Sequence, residues 1–241
     1  MRSIIETPLT YMNKTFITIL ILLVGTFGFG QNTLPTESET HIFWQSGKKL
    51  NRTDFQGDAT KIPNAEKYCD KVGLCTVASL GVFTVLDIPK RKKQRGILRE
   101  KIYIAPAFEI STSYIVQNDS SGIEKQQVVF DMYELSARYM RKELSSMVNK
   151  MDAYGNLSLW LKTIEDKAQE LRTRMVDAYT KDVYIDNRPG AYLEWKEKLD
   201  STLKDLEEFA TKPEDCYRFV IKKPLDKNYE MAKTVVGKLF D

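Results

Sequence analysis

The chain reads as an α+β protein, an N-terminal antiparallel sheet followed by helices, and three observations lead there. Residues 41–116 carry short apolar segments rich in β-branched side chains. After Ser120 the apolar residues recur at spacings of three and four. The balance of 42% hydrophobic and 29% charged residues over 241 positions is that of a chain able to bury one sizeable core.

Lys14 precedes an apolar run from Phe16 to Phe29 that closes on Gly28 and Gly30, the pattern of a secretory signal over residues 1–30, with cleavage before Gln31 and Met12 as an alternative start. The run is short for a bilayer span, so an uncleaved anchor is the lesser alternative, and no cysteine follows it to carry a lipid. The mature protein is therefore expected to be secreted or periplasmic, with no stable membrane span after cleavage. Gln31 to Glu39 is polar and reads as a loose terminus.

The runs Leu74 to Val85, Ile97 to Ala105 and Ile110 to Val116 supply the strands, and His41 to Trp44 is a short apolar segment ahead of them. Between the first two long runs, Pro89 to Gly96 holds Lys90, Arg91, Lys92, Lys93 and Arg95. This is a solvated hairpin tip or, more sharply, a contact for an anion or a membrane surface.

Ser121 to Leu144 is expected to be a helix, with Ser121 and Glu124 at capping-box spacing and an apolar stripe through Ile123, Phe130, Ala137 and Leu144. Leu157, Leu161, Ile164, Ala168, Leu171, Met175 and Ala178 form a heptad seam. Tyr192, Trp195, Leu199, Leu203, Leu206 and Phe209 or Ala210 form a facing stripe, and Pro189-Gly190 breaks the chain between them, so an antiparallel helical hairpin is expected. Tyr229 to Leu239 reads as a last short helix. Residues 31–151, the sheet with its first helix, and residues 152–241, the helical part, then form one domain.

The formal charge is only +3, which argues against nucleic acid as a partner. Cys69, Cys75 and Cys216 are the only cysteines, so an exported chain can close one disulfide, either Cys69 to Cys75 or one of these to Cys216, and leaves one thiol over. His41 is the only histidine, and a Cys/His41 nucleophilic pair is the remote catalytic alternative.

The helix SGIEKQQVVFDMYELSARYMRKEL resembles the active-site helix of a bacterial family of predicted secreted zinc-dependent proteases, which runs His-Glu-Gln-x-His-Phe-Asp and then Glu-Leu-x-Ala-Arg. Gln127, Phe130, Asp131, Glu134, Leu135, Ala137 and Arg138 match. Trp44 with Leu50 to Gly57 is similar to the family's opening Trp and Leu-x-x-x-Asp-Phe-x-Gly stretch, and Ala107, Phe108, Ser113 and Tyr114 to its Phe then Ser-Trp element. The resemblance implies a zincin-like fold and a zinc cofactor.

Lys125, Gln126 and Val129, however, stand where the family has its His, Glu and His. A protonated lysine has no lone pair, a valine has no donor atom, and an amide does not take a proton from water. Zinc is accordingly judged lost, no residue is assigned as catalytic, and Asp131, Glu134 and Arg138 are a retained frame in which Glu134 and Arg138 read as an i,i+4 ion pair.

The expectation is a pseudoenzyme that binds or braces, with a peptide or another envelope protein as partner and a ligand cleft around Lys125, Gln126 and Val129. The rivals are a hydrolase with a relocated metal or Cys/His site, and an envelope protein that self-associates through the heptad helices.

Overall fold

Side-chain alternation along two long strands sets the layering of this molecule. The computed structural model describes residues 34–117, 120–151 and 157–233, so the expected signal segment and its cleavage point before Gln31 lie outside the described residues. Strands β1 (His41–Phe43), β2 (Thr76–Pro89), β3 (Lys101–Ile115) and β4 (Tyr229–Met231) form one antiparallel sheet in the order β1-β3-β2-β4. The helices are α1 (Ala65–Val72), α2 (Ser120–Met151), α3 (Leu157–Thr180), α4 (Ala191–Asp205) and α5 (Pro213–Val220). The architecture is α+β.

The two strands expected over 97–105 and 110–116 are one. Pairing runs from Thr76 opposite Ile115 to Asp87 opposite Lys101, with a bulge between Val77 and Ser79. Pro106 stays in the ladder opposite Val82 and its carbonyl accepts the Trp44 N–H at 2.9 Å, so the proline does not end the strand.

On β3, Ile104 and Phe108 face α2, where Ile104 meets Ala137, Met140 and Leu144 and Phe108 meets Phe130. Ala105 and Ala107 face the other way and pack with Phe43 and Val85 against Cys216 and Phe219 of α5. The sheet is thus covered on both faces. The buried Arg218 of α5 reaches Asp87 of β2 through two bonds of 2.8 and 2.7 Å.

The expected helical hairpin is replaced by a different pairing. The seam residues Leu161, Ile164 and Ala168 of α3 pack on Ala137, Met140 and Leu144 of α2, and Leu199 and Leu203 of α4 pack with Met132 and Leu135 of the same helix. α2 offers apolar side chains on most of its circumference, so both later helices bury more by lying against it than against each other. α3 and α4 meet near their connection, where Tyr179 and Trp195 stand edge to face at 6.0 Å. A π-helical turn, Lys181–Ile185, buries Val183 and Tyr184 there.

The last expected helix is also corrected. Residues 229–231 form β4, held to Asp87, Ile88 and Pro89 of β2, with the Tyr229 hydroxyl donating to the Arg99 carbonyl at 2.9 Å. Residues 234–241 lie outside the described residues. Cys69 and Cys75 form the disulfide across the turn at Gly73, whose φ of 71° suits glycine, and Cys216 is a free, buried thiol. No described helix is long and apolar enough to cross a membrane.

Candidate functional site: the two sides of helix α2

A helix advances about 100° per residue, so Gln127, Asp131, Glu134, Arg138 and Arg141 line one side of α2, while Lys125 and Val129 lie on the opposite side and Gln126 on the flank between the two. Gln127, Asp131, Glu134 and Arg138 are all buried. Gln127, Asp131 and Glu134 find partners on segments without helix or strand, and Arg138 finds them at the C-terminal end of α4 and in the turn that follows it. Gln127 Oε1 accepts the Leu50 N–H at 2.9 Å. Asp131 Oδ1 accepts Trp44 Nε1–H at 2.8 Å and Gln127 Nε2–H at 2.9 Å. Glu134 accepts the Thr211 N–H at 2.9 Å, the Thr211 hydroxyl, and Arg138 Nε–H at 2.8 Å.

Arg138 goes on to donate to the Leu203 carbonyl and to Glu207, and its guanidinium lies 5.3 Å from the Trp44 ring centroid. Arg141 donates to the carbonyls of Phe209 and Ile104 and to the Thr211 hydroxyl. The stripe therefore gives the Leu50 and Thr211 N–H groups and the Phe209 carbonyl hydrogen bonds that no helix or strand supplies, and adds a donor to the Leu203 carbonyl at the end of α4, which also accepts the Leu206 N–H. The ion pair expected between Glu134 and Arg138 is present, and it belongs to this network.

Trp44, the stretch from Leu50 to Gly57, and Phe108 converge on the same side. Trp44 and Leu50 bond to Asp131 and Gln127 of α2, Phe55 stands edge to face with Phe108 at 4.9 Å, and Phe108 is 6.5 Å from Phe130. Gly57 donates to the Ser113 carbonyl at 2.7 Å, so close that a Cβ at Gly57 would stand 2.7 Å from that oxygen. Only glycine fits without a shift.

The opposite side of α2 is filled, and so is the flank beside it. Gln126 is buried, accepts the Ala78 N–H of β2 at 3.0 Å and donates to the Tyr184 hydroxyl at 3.2 Å. Val129 is buried among Tyr179, Val183 and Tyr184. The Lys125 carbonyl accepts the Tyr179 hydroxyl at 3.1 Å, and its ammonium lies 5.3 Å from the centre of the Tyr184 ring. These side chains do not fit a zinc ion: an ammonium, an amide already engaged at both ends and a hydrocarbon offer no ligand set. Among the described residues no three His, Cys, Asp or Glu side chains gather where they could hold a metal.

The expected cleft around Lys125, Gln126 and Val129 is thus packed, because two tyrosines from α3 and the π turn occupy it. Open volume lies on the polar side instead, a cavity of about 430 Å³ bordered by Lys49, Leu50, Ile123, Gln127, Asp131 and Tyr192, within the range of small-ligand sites. Asp131 and Lys49 meet at its edge, with Oδ2 4.0 Å from Nζ. Burial pushes the Asp131 carboxyl up, against the opposing pull of the bonds from Trp44 and Gln127 and of Lys49. The spacing of Gln127, Asp131, Glu134, Arg138 and Arg141 is the signal that locates this side, and an apolar-stripe reading passes over it.

The Cys/His alternative is not assembled. Cys216 Sγ accepts Gln45 Nε2–H at 3.1 Å and lies 3.8 Å from the Trp44 carbonyl, while His41 Nδ1 is 2.8 Å from the Thr40 hydroxyl. Burial, reinforced by Asp215 and Glu134, pushes the Cys216 thiol far up, away from the thiolate a nucleophile requires.

The fold and site define an α+β protein organised on a buried, polar-striped helix. Comparison with family models, with curated proteins and with solved structures returned no match.

Proposed function

We propose that the chain is a secreted or periplasmic, protease-like protein that acts without catalysis, as a binding or structural module whose partner is a peptide or another envelope protein. The observation that carries this reading is Gln126. At the position where the resembling family places its catalytic glutamate, an amide is clamped between the Ala78 N–H and the Tyr184 hydroxyl, in a space closed by Val129 and Tyr179. The convergence of Trp44, Leu50 to Gly57 and Phe108 on α2 supports a zincin-like ancestry, since those segments make the frame in which such a helix would sit. The cavity beside Asp131 and Lys49 is the place for contact with a partner.

The test is metal content and hydrolysis. Purified chain starting at Gln31, incubated with zinc and dialysed, is expected to retain no stoichiometric zinc and to leave an unfolded protein substrate uncut. A stoichiometric ion, with cleavage that stops on chelation, overturns the proposal.

A further inference from the structure

The basic turn of residues 89–96 has no role in the site above, and the fold joins it to a second segment. Lys90 Nζ donates to the Lys227 carbonyl at 2.6 Å, Arg95 pairs with Glu230 at 2.7 Å, and Lys101 pairs with Asp226 at 3.1 Å. Tyr229 bonds to the Arg99 carbonyl, and β4 lies beside β2. Residues 89–101 and 222–231 therefore form one surface at one end of the sheet.

Its composition departs sharply from that of the chain. These two segments hold ten lysines and arginines against three carboxylates, whereas the whole chain has a formal charge of +3, so the remainder is net acidic. Lys90, Arg95 and Lys101 are used in joining the segments, while Arg91, Lys92, Lys93, Lys223 and Lys227 are exposed. On the same surface Ile97 is 71% exposed, and Leu98, Leu225 and Met231 each stand more than a third exposed. Large apolar side chains set among cations at a hairpin tip are poorly suited to water alone.

We propose that this end of the molecule docks on an anionic lipid surface. Arg91, Lys92, Lys93, Lys223 and Lys227 meet headgroup phosphates, and Ile97 and Leu98 enter the boundary between headgroups and acyl chains. Both halves of the surface are then satisfied: clustered cations are drawn to a negatively charged leaflet, and apolar side chains leave water on reaching it. A soluble polyanion would use the cations and leave the four apolar residues in water. The net-acidic remainder is repelled by the same membrane, which orients the molecule with the hairpin tip down.

The experiment uses the chain from Gln31, which keeps the whole Leu34–Asp241 unit. It is sedimented with vesicles of phosphatidylcholine mixed with phosphatidylglycerol, and with phosphatidylcholine alone, at low and high salt, and in parallel titrated with heparin. The expected result is binding to the mixed vesicles that weakens with salt, and none to phosphatidylcholine. The Lys92→Glu/Lys93→Glu variant is expected to lose about tenfold or more in vesicle affinity. Ile97→Ser/Leu98→Ser is expected to lose several-fold on vesicles with heparin binding unchanged. All four positions are exposed, so thermal melts of the variants should match that of the parent. Failure to bind the mixed vesicles overturns the proposal, and so does an Ile97→Ser/Leu98→Ser variant that binds them as well as the parent, which would assign the patch to a soluble polyanion.

Discussion

Two helical stripes in this molecule share the same alternation of four and three residues and meet opposite fates. On α2 the stripe Gln127, Asp131, Glu134, Arg138 and Arg141 is polar, yet its first four members are buried. On α3 the seam Leu157, Leu161, Ile164, Ala168, Leu171, Met175 and Ala178 is apolar, yet it is fully buried only as far as Ala168, and Leu171 is 38% exposed. Periodicity says which residues share a face. What the neighbouring chain needs decides which face goes inside.

For α2 the need is hydrogen bonding. The approaching segments bring the Trp44 indole, the Leu50 and Thr211 N–H groups and the Phe209 carbonyl, whose hydrogen bonds come from the stripe, and a polar stripe is what they can dock on. For α3 the need is apolar contact with α2. A straight helix drifts about 20° per heptad from a 3.5-residue repeat, so the line of contact leaves Leu171 and passes to Arg172. Arg172 lies 4.8 Å from the Tyr133 ring centroid and donates to the Ser136 hydroxyl at 3.1 Å.

The polar stripe is broken most severely at its centre. Glu134→Ala takes from the buried Arg138 its buried carboxylate partner, leaving only the exposed Glu207, and removes the acceptor of the Thr211 N–H. Loss of one member of a buried ion pair costs about 3–5 kcal/mol, so a large fall in the urea midpoint is expected. Glu134→Gln keeps an acceptor for Thr211 and should fall less. Equal, small losses in both would mean that water reaches this pair and that the stripe is not part of the protein interior.

Asp131 gives a subtler test, through pH. Burial raises its carboxyl above the ordinary value of 3.8, so the folded chain holds this proton at pH values where the unfolded chain has released it. Stability contributed by this group is then greatest below pH about 4, falls as pH rises between the ordinary and the raised value, and is level above that. The fall amounts to about 1.4 kcal/mol for each pH unit that separates the two values. Asp131→Asn keeps an oxygen for Trp44 and removes the titration. The unfolding free energy of the parent minus that of this variant should therefore decline as pH rises from 4, and a rise over the same window would reverse the sign assigned to Asp131.

Much of this organisation is legible in the sequence, and the remainder fails for identifiable reasons. The α+β class, the long strands β2 and β3 lying before the long helices, and α2 itself follow from periodicity, because these are local properties of the chain; α1 ahead of β2 and β4 after the last helix do not. β3 reads as two strands because Pro106 resembles a break, and only the cross-strand carbonyl contact to Trp44 shows that it is tolerated. α5 carries just eight residues with Cys216 and Phe219 inward, too short a pattern to stand out from its surroundings. At the site, the Glu134–Arg138 pair is visible from its spacing. The closure of the Gln126 side depends on Tyr184, placed by a π turn that no local pattern announces.

The smallest expected effect separates the two halves of the α3 seam. Leu161 is 2% exposed and packed on α2, so Leu161→Glu buries a charge without a partner and should unfold much of the population. Leu171→Glu places its carboxylate at a position already open to solvent and should change stability by no more than about 0.5 kcal/mol. If the seam serves only to pack α3 on α2, sedimentation of the Leu171→Glu variant matches that of the parent. Should the parent sediment as a larger species that Leu171→Glu dissociates while remaining folded, the exposed half of the seam is a contact between copies. The self-associating envelope protein then becomes the better account of what α3 is for, because a leucine kept at a heptad position on an exposed face would have found the neighbour it lacks within the chain.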